Sequence, residues 1–255
     1  MQFRLIEQET HSAAMNMAIE HAIYESVAAG KTLPTIRFYK WNPAAVSIGA
    51  YQNHNEIDFL ECKKYKVGVV RRITGGRAVY HSQKDFTYSF IAPLKIFGYS
   101  INFAYKSICS CLINTLCELG IKGELKNKND IMVNNKKISG NAAKLMDKGI
   151  YVQHGTIIWD LDLKIMPKVL RIDKNDVRAK ATSISQHKKI EENYFYEKVK
   201  ANFIKGKEIK KYGLSEEELK MARELAATKY NKLILDRSSN LKFKGPCYVM
   251  HGDSY

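Results

Sequence analysis

Arg71-Arg72-Ile73-Thr74-Gly75-Gly76-Arg77-Ala78-Val79-Tyr80-His81 follows directly on Val67-Gly68-Val69-Val70, and together they read as strand, glycine turn, strand. Val67–Arg72 has the length and apolar content of a buried strand, and Val79–His81 that of a second, shorter one. Gly75 and Gly76 give the turn between them backbone conformations closed to other residues, and they let a ligand come close to the main chain. The amides of Gly75, Gly76, Arg77, Ala78 and Val79 then line a concavity flanked by guanidinium groups, which suits phosphate or carboxylate. Arg71 and Arg72 project to opposite faces of their strand. The expectation is that Arg71 faces the ligand and Arg72 serves as an ion-pair partner behind it.

A second segment lies some fifty residues downstream: Asn129-Asp130-Ile131-Met132-Val133-Asn134-Asn135-Lys136-Lys137-Ile138-Ser139-Gly140-Asn141-Ala142-Ala143. Alternation on either side of Asn134-Asn135 predicts two strands around a tight turn. The small polar run Ser139-Gly140-Asn141 leaves room for a ligand at Lys137. Lys136 is expected to face the other side of the strand. Asn129 and Asp130 offer hard oxygen donors, and at a hairpin entry they would equally suit an Asx turn. A third segment, Gln153-His154-Gly155-Thr156, lies within a further apolar extended run, Ile150–Trp159.

These three segments, in this order, resemble the lipoate–protein ligase and octanoyltransferase family within the biotin/lipoate protein ligase superfamily. The likeness rests on Arg-Arg-x-Thr-Gly-Gly-x-Ala-Val-Tyr-His, on Asn-Asp followed by Lys-Ile-Ser-Gly-x-Ala, and on His-Gly-Thr. It runs from about residue 3 to about residue 232. The glycine-arginine loop of the biotin-ligase branch is absent. The resemblance implies an α+β catalytic domain with a mixed, largely antiparallel sheet flanked by helices. It implies ATP and lipoate as substrates, with Mg²⁺ held in part by Asp130. Lys137 becomes the central catalytic cation. Arg71, Gly75, Gly76, Arg77, Ala78, Val79, Asn129 and Asp130 bind ATP or the acyl-adenylate. His81, Ser139, Gly140 and His154 form a hydrogen-bonding pocket framework, and Tyr39, Val46, Ile48, Val70 and Val79 are candidates for an apolar slot.

Two activities compete within that family. The leading expectation is an ATP-dependent lipoate–protein ligase, which makes acyl-AMP from lipoate or octanoate and transfers the acyl group to a lysine of a lipoyl domain or glycine-cleavage H protein. The alternative is an ATP-independent transferase that moves octanoyl or lipoyl groups between carrier proteins through a cysteine thioester. In the relevant branches the nucleophile precedes the motif lysine by about fifteen residues, and it must be an activated thiolate. No cysteine lies between Cys117 and Cys247. Cys117 itself is predicted inside a helix next to Glu118. Arg77 stands where many ligases carry a third glycine and several octanoyltransferases carry arginine.

Helical periodicity predicts helices over Ser12–Ala29, Ile101–Leu119, Leu163–Leu170, Tyr194–Phe203 and Glu216–Lys229, the last with a Ser215/Glu218 capping box. Asn55 is expected to cap a short helix through Lys64. Further strands are expected at Thr35–Tyr39, Ala45–Gly49 and Thr87–Ile91. Residues 1–232 then form one catalytic domain, with a charged connector or edge strand at Lys205–Lys211 as its subdomain edge. Residues 233–255 are left as a tail. The length implies a short form without the family's C-terminal accessory domain, and so leaves a place for a separate small accessory subunit.

The composition is that of a folded chain: 255 residues, 45% hydrophobic, 15 tyrosines. No apolar run reaches the roughly 18 residues of a membrane span, and no signal pattern opens the chain. Five cysteines without a Cys-x-x-Cys pair fit reduced thiols in a cytoplasm. The net charge of +15 calls for an acidic partner. No nucleic-acid-binding signature accompanies it. A lysine-rich background composition or a solubilising surface would give the same charge; the family resemblance implies an acidic lipoyl-domain acceptor, from an E2 subunit or an H protein, as the expected partner.

Overall fold

The computed structural model describes residues 1–126 and 129–231. The expected tail at 233–255, with Cys247, lies outside the described residues. Among the described residues the strands are β1 (Gln2–His11), β2 (Thr35–Trp41), β3 (Ala45–Ile48), β4 (Gly68–Arg71), β5 (Val79–His81), β6 (Phe86–Pro93), β7 (Glu124–Lys126), β8 (Asp130–Val133), β9 (Lys136–Leu145), β10 (Ile150–Ile157) and β11 (Glu208–Lys211). The helices are α1 (Ala13–Ala28), α2 (Phe59–Lys64), α3 (Ile101–Glu118), α4 (Met166–Val169), α5 (Lys174–Lys180), α6 (Ile184–His187), α7 (Glu192–Ile204) and α8 (Glu216–Leu225).

Eight strands form one sheet in the order β11-β1-β2-β6-β10-β9-β8-β7, parallel where β1 meets β11 and β2, antiparallel elsewhere. The α+β class with a mixed, largely antiparallel sheet is therefore as expected. The glycine segment does not join that sheet. It builds a second sheet, β4-β3-β5, with β3 parallel to β4 and antiparallel to β5.

Period-two alternation divides the large sheet's faces. Phe86, Tyr88, Phe90 and Ala92 of β6 share a core with α3 and α7 on one face. Ile91, with Tyr39 and Trp41 of β2 and Val152 of β10, packs with α1 on the other. Thr87 and Ser89, polar yet buried, also sit on this second face, where the small sheet closes over. Ser12 caps α1 by accepting from the Met15 amide, and most of the helix is buried because it is covered on several sides.

Several boundaries differ from the sequence reading. Asp58, not Asn55, caps α2, accepting from the Leu60 and Glu61 amides, while Asn53 caps a separate turn at His54–Glu56. Only Met166–Val169 of the expected Leu163–Leu170 helix forms, because Asp162 takes the Lys164 and Ile165 amides into a turn. Glu208–Lys211 is the edge strand beside β1. The Ser215/Glu218 capping box is present, and Glu218 is further fixed by Arg4 at 2.7 and 2.8 Å, both side chains buried. Asn134 and Asn135 take left-handed φ of 50° and 60°, the turn that a two-residue hairpin requires. No helix among the described residues is long and apolar enough to cross a membrane.

Candidate active site

A cavity of about 560 Å³ opens between the two sheets, and the second and third sequence segments meet the first there. Gly76, Arg77, Ala78 and Val79 line one wall. Asn129, Asp130, Lys137 and Gly140 line the opposite one, with His81 and His154 deeper inside. Arg71, Gly75 and Ser139 do not line it.

Strand phase explains these corrections. On β4, Val70 points into the α1 core and Val69 into the core around α2. Arg72 continues the phase of Val70 and lies at the cavity, 5% exposed. Arg71 continues that of Val69, and its Nη1 donates to the carbonyls of Gly49 and Gln52, both at 2.7 Å. The expected roles of the two arginines are therefore exchanged in position. Arg72 makes no ion pair among the described residues; it donates to carbonyls. Its Nη1 reaches Ser47 O at 2.8 Å, and its Nη2 reaches Gly75 O at 2.7 Å and Arg77 O at 2.9 Å. Burial brings its pKa down to about 10, so it stays charged at neutral pH. One guanidinium thus holds both ends of the glycine turn. Gly76, at φ 95°, needs to be glycine. Gly49 is the neighbour that lets the turn pass, since a Cβ there would stand 1.8 Å from Gly76 O.

The second phase shift is on β9. Partners across β8 jump from Ile131/Ser139 to Met132/Lys137, so Ile138 is an extra residue in β9. Such a bulge re-aims the side chains that precede it. Gly140 and Ala142 pair with Thr156 and His154 on the cavity face. The bulge brings Lys137 onto that same face, and its Nζ lies 2.8 Å from where a Gly140 Cβ would be. Gly140 is thus the space in which the lysine lies. Ser139 falls on the α3 face, 1% exposed, so it is excluded from the cavity.

Lys137 Nζ lies 2.7 Å from Asp130 Oδ1. The approach is poorly aligned, and this oxygen, cut off from solvent, makes no hydrogen bond. A carboxylate oxygen with unused capacity, beside Asn129 at the cavity wall, suits a hard cation that takes most of its ligands from water and phosphate. No group of three His, Cys, Asp or Glu side chains placed to hold a metal occurs among the described residues. Asp130 is the carboxylate in the described cavity lining that Mg²⁺ would find here.

The cavity floor is a polar chain. Trp41 Nε1 donates to Thr87 Oγ1 at 2.9 Å, and Thr87 Oγ1 lies 3.0 Å from Thr156 Oγ1. Thr156 Oγ1 lies 3.1 Å from His81 Nδ1, and His81 Nε2 lies 2.8 Å from Ser47 Oγ. His81 also stacks on Trp41 at 4.2 Å. Burial, followed by the charges of Arg72 and His154, holds its pKa well below 6.5, so the ring is neutral. His154 has Nε2 2.7 Å from Thr74 Oγ1, at the root of the glycine turn, and Nδ1 2.9 Å from Glu20 Oε1. Burial alone would raise the Glu20 pKa, but His154 and a hydrogen bond from Ser89 bring it below the ordinary value. Both rings are thus held at two nitrogens by neighbouring side chains, as a hydrogen-bonding framework would be.

Met17, Tyr39, Trp41 and Val79 supply the apolar wall. Val46, Ile48 and Val70, also expected there, are spent in cores. Sequence reasoning missed Glu20, Gly49, Arg72 as turn holder, and Lys180. Glu20 carried a signal, being an acid within the apolar face of α1; Lys180 is reached only by a fold in the chain.

No described cysteine lines the cavity. Burial pushes the Cys62 and Cys109 thiols up to about 12, and that of Cys111 upward as well. Cys117 is exposed on α3.

Comparison with known proteins matches the lipoyl protein ligase A/B catalytic domain family over residues 12–206. Octanoyltransferase LipM of Brevibacillus brevis is 33% identical, over 90% of this chain and 96% of that protein. The structure of a lipoate-protein ligase A bound with ATP superposes with a TM-score of 0.80 at 27% identity, covering 91% of this chain and 96% of the other. A lipoate protein ligase-like protein of T. acidophilum with bound lipoic acid gives 0.75 at 26%, covering 90% and 98%. With fold and sequence agreeing across most of its length, the chain belongs to the lipoyl protein ligase A/B catalytic domain family and is an enzyme of lipoyl or octanoyl attachment.

Proposed function

We propose that this enzyme is an ATP-dependent lipoate–protein ligase. The carboxylate of lipoate or octanoate attacks the α-phosphorus of ATP, pyrophosphate leaves, and the acyl-adenylate forms. The ε-amine of an acceptor lysine, on a lipoyl domain or H protein, then attacks the acyl carbonyl and expels AMP. Negative charge builds at the α-phosphate in the first step and on the carbonyl oxygen in the second. Lys137, packed over Gly140, can meet both. Gly76, Arg77, Ala78 and Val79 line the same space, where their backbone could add donors. Mg²⁺, when bound at Asp130, would screen phosphate charge. The acyl tail fits against Met17, Tyr39, Trp41 and Val79.

The observation that carries this reading is a cavity with Lys137, Asp130 and an arginine-held glycine turn, but no thiol among its described lining. A thioester transferase needs a thiolate there. The transferase remains the second reading because octanoyltransferases are among the relatives most similar to the chain. One experiment separates the two. The wild-type chain and a variant with all five cysteines replaced by serine are incubated with an apo-lipoyl domain and either lipoate or octanoate with ATP, or an octanoyl-carrier-protein thioester without ATP, and acylation is followed by mass spectrometry. The ligase reading expects ATP-dependent acylation close to wild type. Loss of acylation in that variant, with an acyl-thioester trapped on the wild-type chain, would establish the transferase. Slow activity that a second small protein accelerates would support the separate accessory subunit.

A further inference from the structure

A strap of chain from Lys164 to Lys189 carries eight lysines and arginines against two aspartates, a net +6 of the chain's +15. All eight cations are exposed. We propose that this strap is the docking surface for an acidic protein domain that presents the acceptor lysine. The proposal rests on the acyl transfer to protein argued above.

The strap is fixed at two places on opposite sides of the cavity. Near α2, Asp58 N donates to Val169 O at 2.9 Å, Arg171 Nε lies 3.4 Å from Asp58 Oδ2, and Lys168 Nζ donates to Tyr65 OH at 2.7 Å. At β9, Thr182 N donates to Lys137 O at 2.9 Å, and Lys136 Nζ donates to Arg178 O at 2.8 Å. Between these anchors the strap crosses from the small sheet to the strand that carries Lys137, and Lys180 lines the cavity itself. A protein that feeds a lysine to Lys137 must lie against whatever borders this opening.

Its charge is largely uncompensated. Arg171 and Lys180 pair with Asp58 and Asp176. Lys164, Lys174, Arg178, Lys188 and Lys189 have no carboxylate partner among the described residues. An incoming lysine is itself cationic and would be repelled by Lys137, Lys180 and the strap. Only a carrier with a surplus of acid around that lysine offsets the repulsion and gains from the field. Ile172, 37% exposed beside α5, adds an apolar contact within the patch. No Phe, Tyr or Trp occurs between 164 and 189, so the strap lacks the stacking platforms of a single-strand nucleic-acid surface.

The test reverses charge away from the cavity lining, in Lys174→Glu/Arg178→Glu. Three readouts are compared with wild type in the full chain: affinity for an acidic apo-lipoyl domain by titration, KM for that domain, and acyl hydroxamate formed with hydroxylamine in its place. The expected result is a Kd and KM raised about tenfold or more. Hydroxamate formation should stay within twofold, and the wild-type KM alone should climb steeply with salt. Unchanged Kd and KM would overturn the proposal. So would wild-type binding of a thirty-nucleotide oligo(dT) more tightly than the domain, with loss of that binding in the variant. Because the titration needs no turnover, a failure of the acylation reading would show as absent product while the docking result still stands or falls by itself.

Discussion

Gly49→Ala is expected to damage the glycine turn from outside it. A Cβ on residue 49 would stand 1.8 Å from the carbonyl oxygen of Gly76 and 2.9 Å from its carbon, roughly 1.6 Å short of ordinary contact. The turn has little freedom to retreat. Arg72 Nη2 holds the carbonyls on both sides of Gly76, at 2.7 and 2.9 Å, and Thr74 O accepts from Ala50 N at 2.8 Å. A shift of that size breaks at least one bond to the buried guanidinium. Hydrogen bonds to charged groups contribute roughly 1.5–3 kcal/mol each, so the loss is about 3 kcal/mol if one or two break. That is a large share of the roughly 5–15 kcal/mol that hold a domain folded. Urea unfolding should show the drop, and KM for the acyl acid should rise with it because Gly76 lines the cavity. Gly75→Ala is the internal control. Nothing lies within 4 Å of a Cβ there and its φ is not left-handed, so it should stay within about 0.5 kcal/mol of wild type. A stable, active Gly49→Ala alongside a crippled Gly75→Ala would refute the packing argument.

Two further outcomes follow from the site. Lys137→Ala should lower the rate of acyl transfer by about 10²–10³ with the urea midpoint unchanged, whereas Lys136→Ala, whose side chain binds Arg178 O outside the cavity, should be mild; equal losses would remove Lys137 from its role. His81 is held well below 6.5 and His21 is also lowered, chiefly by burial, so the folded chain binds fewer protons than the unfolded one below pH 6.5. Their contribution to stability is therefore full above pH 6.5 and lost as pH falls beneath it, at up to about 1.4 kcal/mol per pH unit for each ring. Unfolding curves from pH 7 to 5 should show that decline, and His81→Gln should show a shallower one; an unchanged slope would mean the ring is not buried neutral.

The sequence announced the three segments that meet at the cavity because each combines residues with little reason to occur together otherwise. Alternation placed the strands, and Asn134-Asn135 placed the hairpin. Side-chain phase was the part it could not give. Arg71 and Arg72 are adjacent, and which of them meets the cavity depends on which face of β4 abuts α1, a tertiary fact. Ser139 dropped out because Ile138 is a bulge, and no local pattern distinguishes a bulged apolar residue from a paired one. Val46, Ile48 and Val70 looked as suitable for an acyl slot as Val79, since a core and a pocket wall ask for the same side chains. The second sheet escaped notice for a related reason: Ala45–Ile48 is flanked by strands in the chain, but its partners are chosen by α1 and by the passage of Gly49 beneath the turn.

The two chemistries that compete for this cavity make the same demand on most of its residues. In either, a carbonyl is attacked and an oxyanion must be stabilised, the role proposed for Lys137. In either, an acyl chain needs the wall of Met17, Tyr39, Trp41 and Val79. They part at one point only, the source of activation. A thioester carries its activation in from the donor and needs a thiolate to receive it; a free acid must be activated in place and needs somewhere for phosphate charge to rest. The scaffold is compatible with either reaction; likeness to octanoyltransferases favours the transfer, and a cavity without a thiol in its described lining favours the ligase. Asp130 Oδ1, buried and 2.7 Å from Lys137, could orient that lysine in either reaction, and under the proposed ligase reading it would also meet the cation that accompanies phosphate.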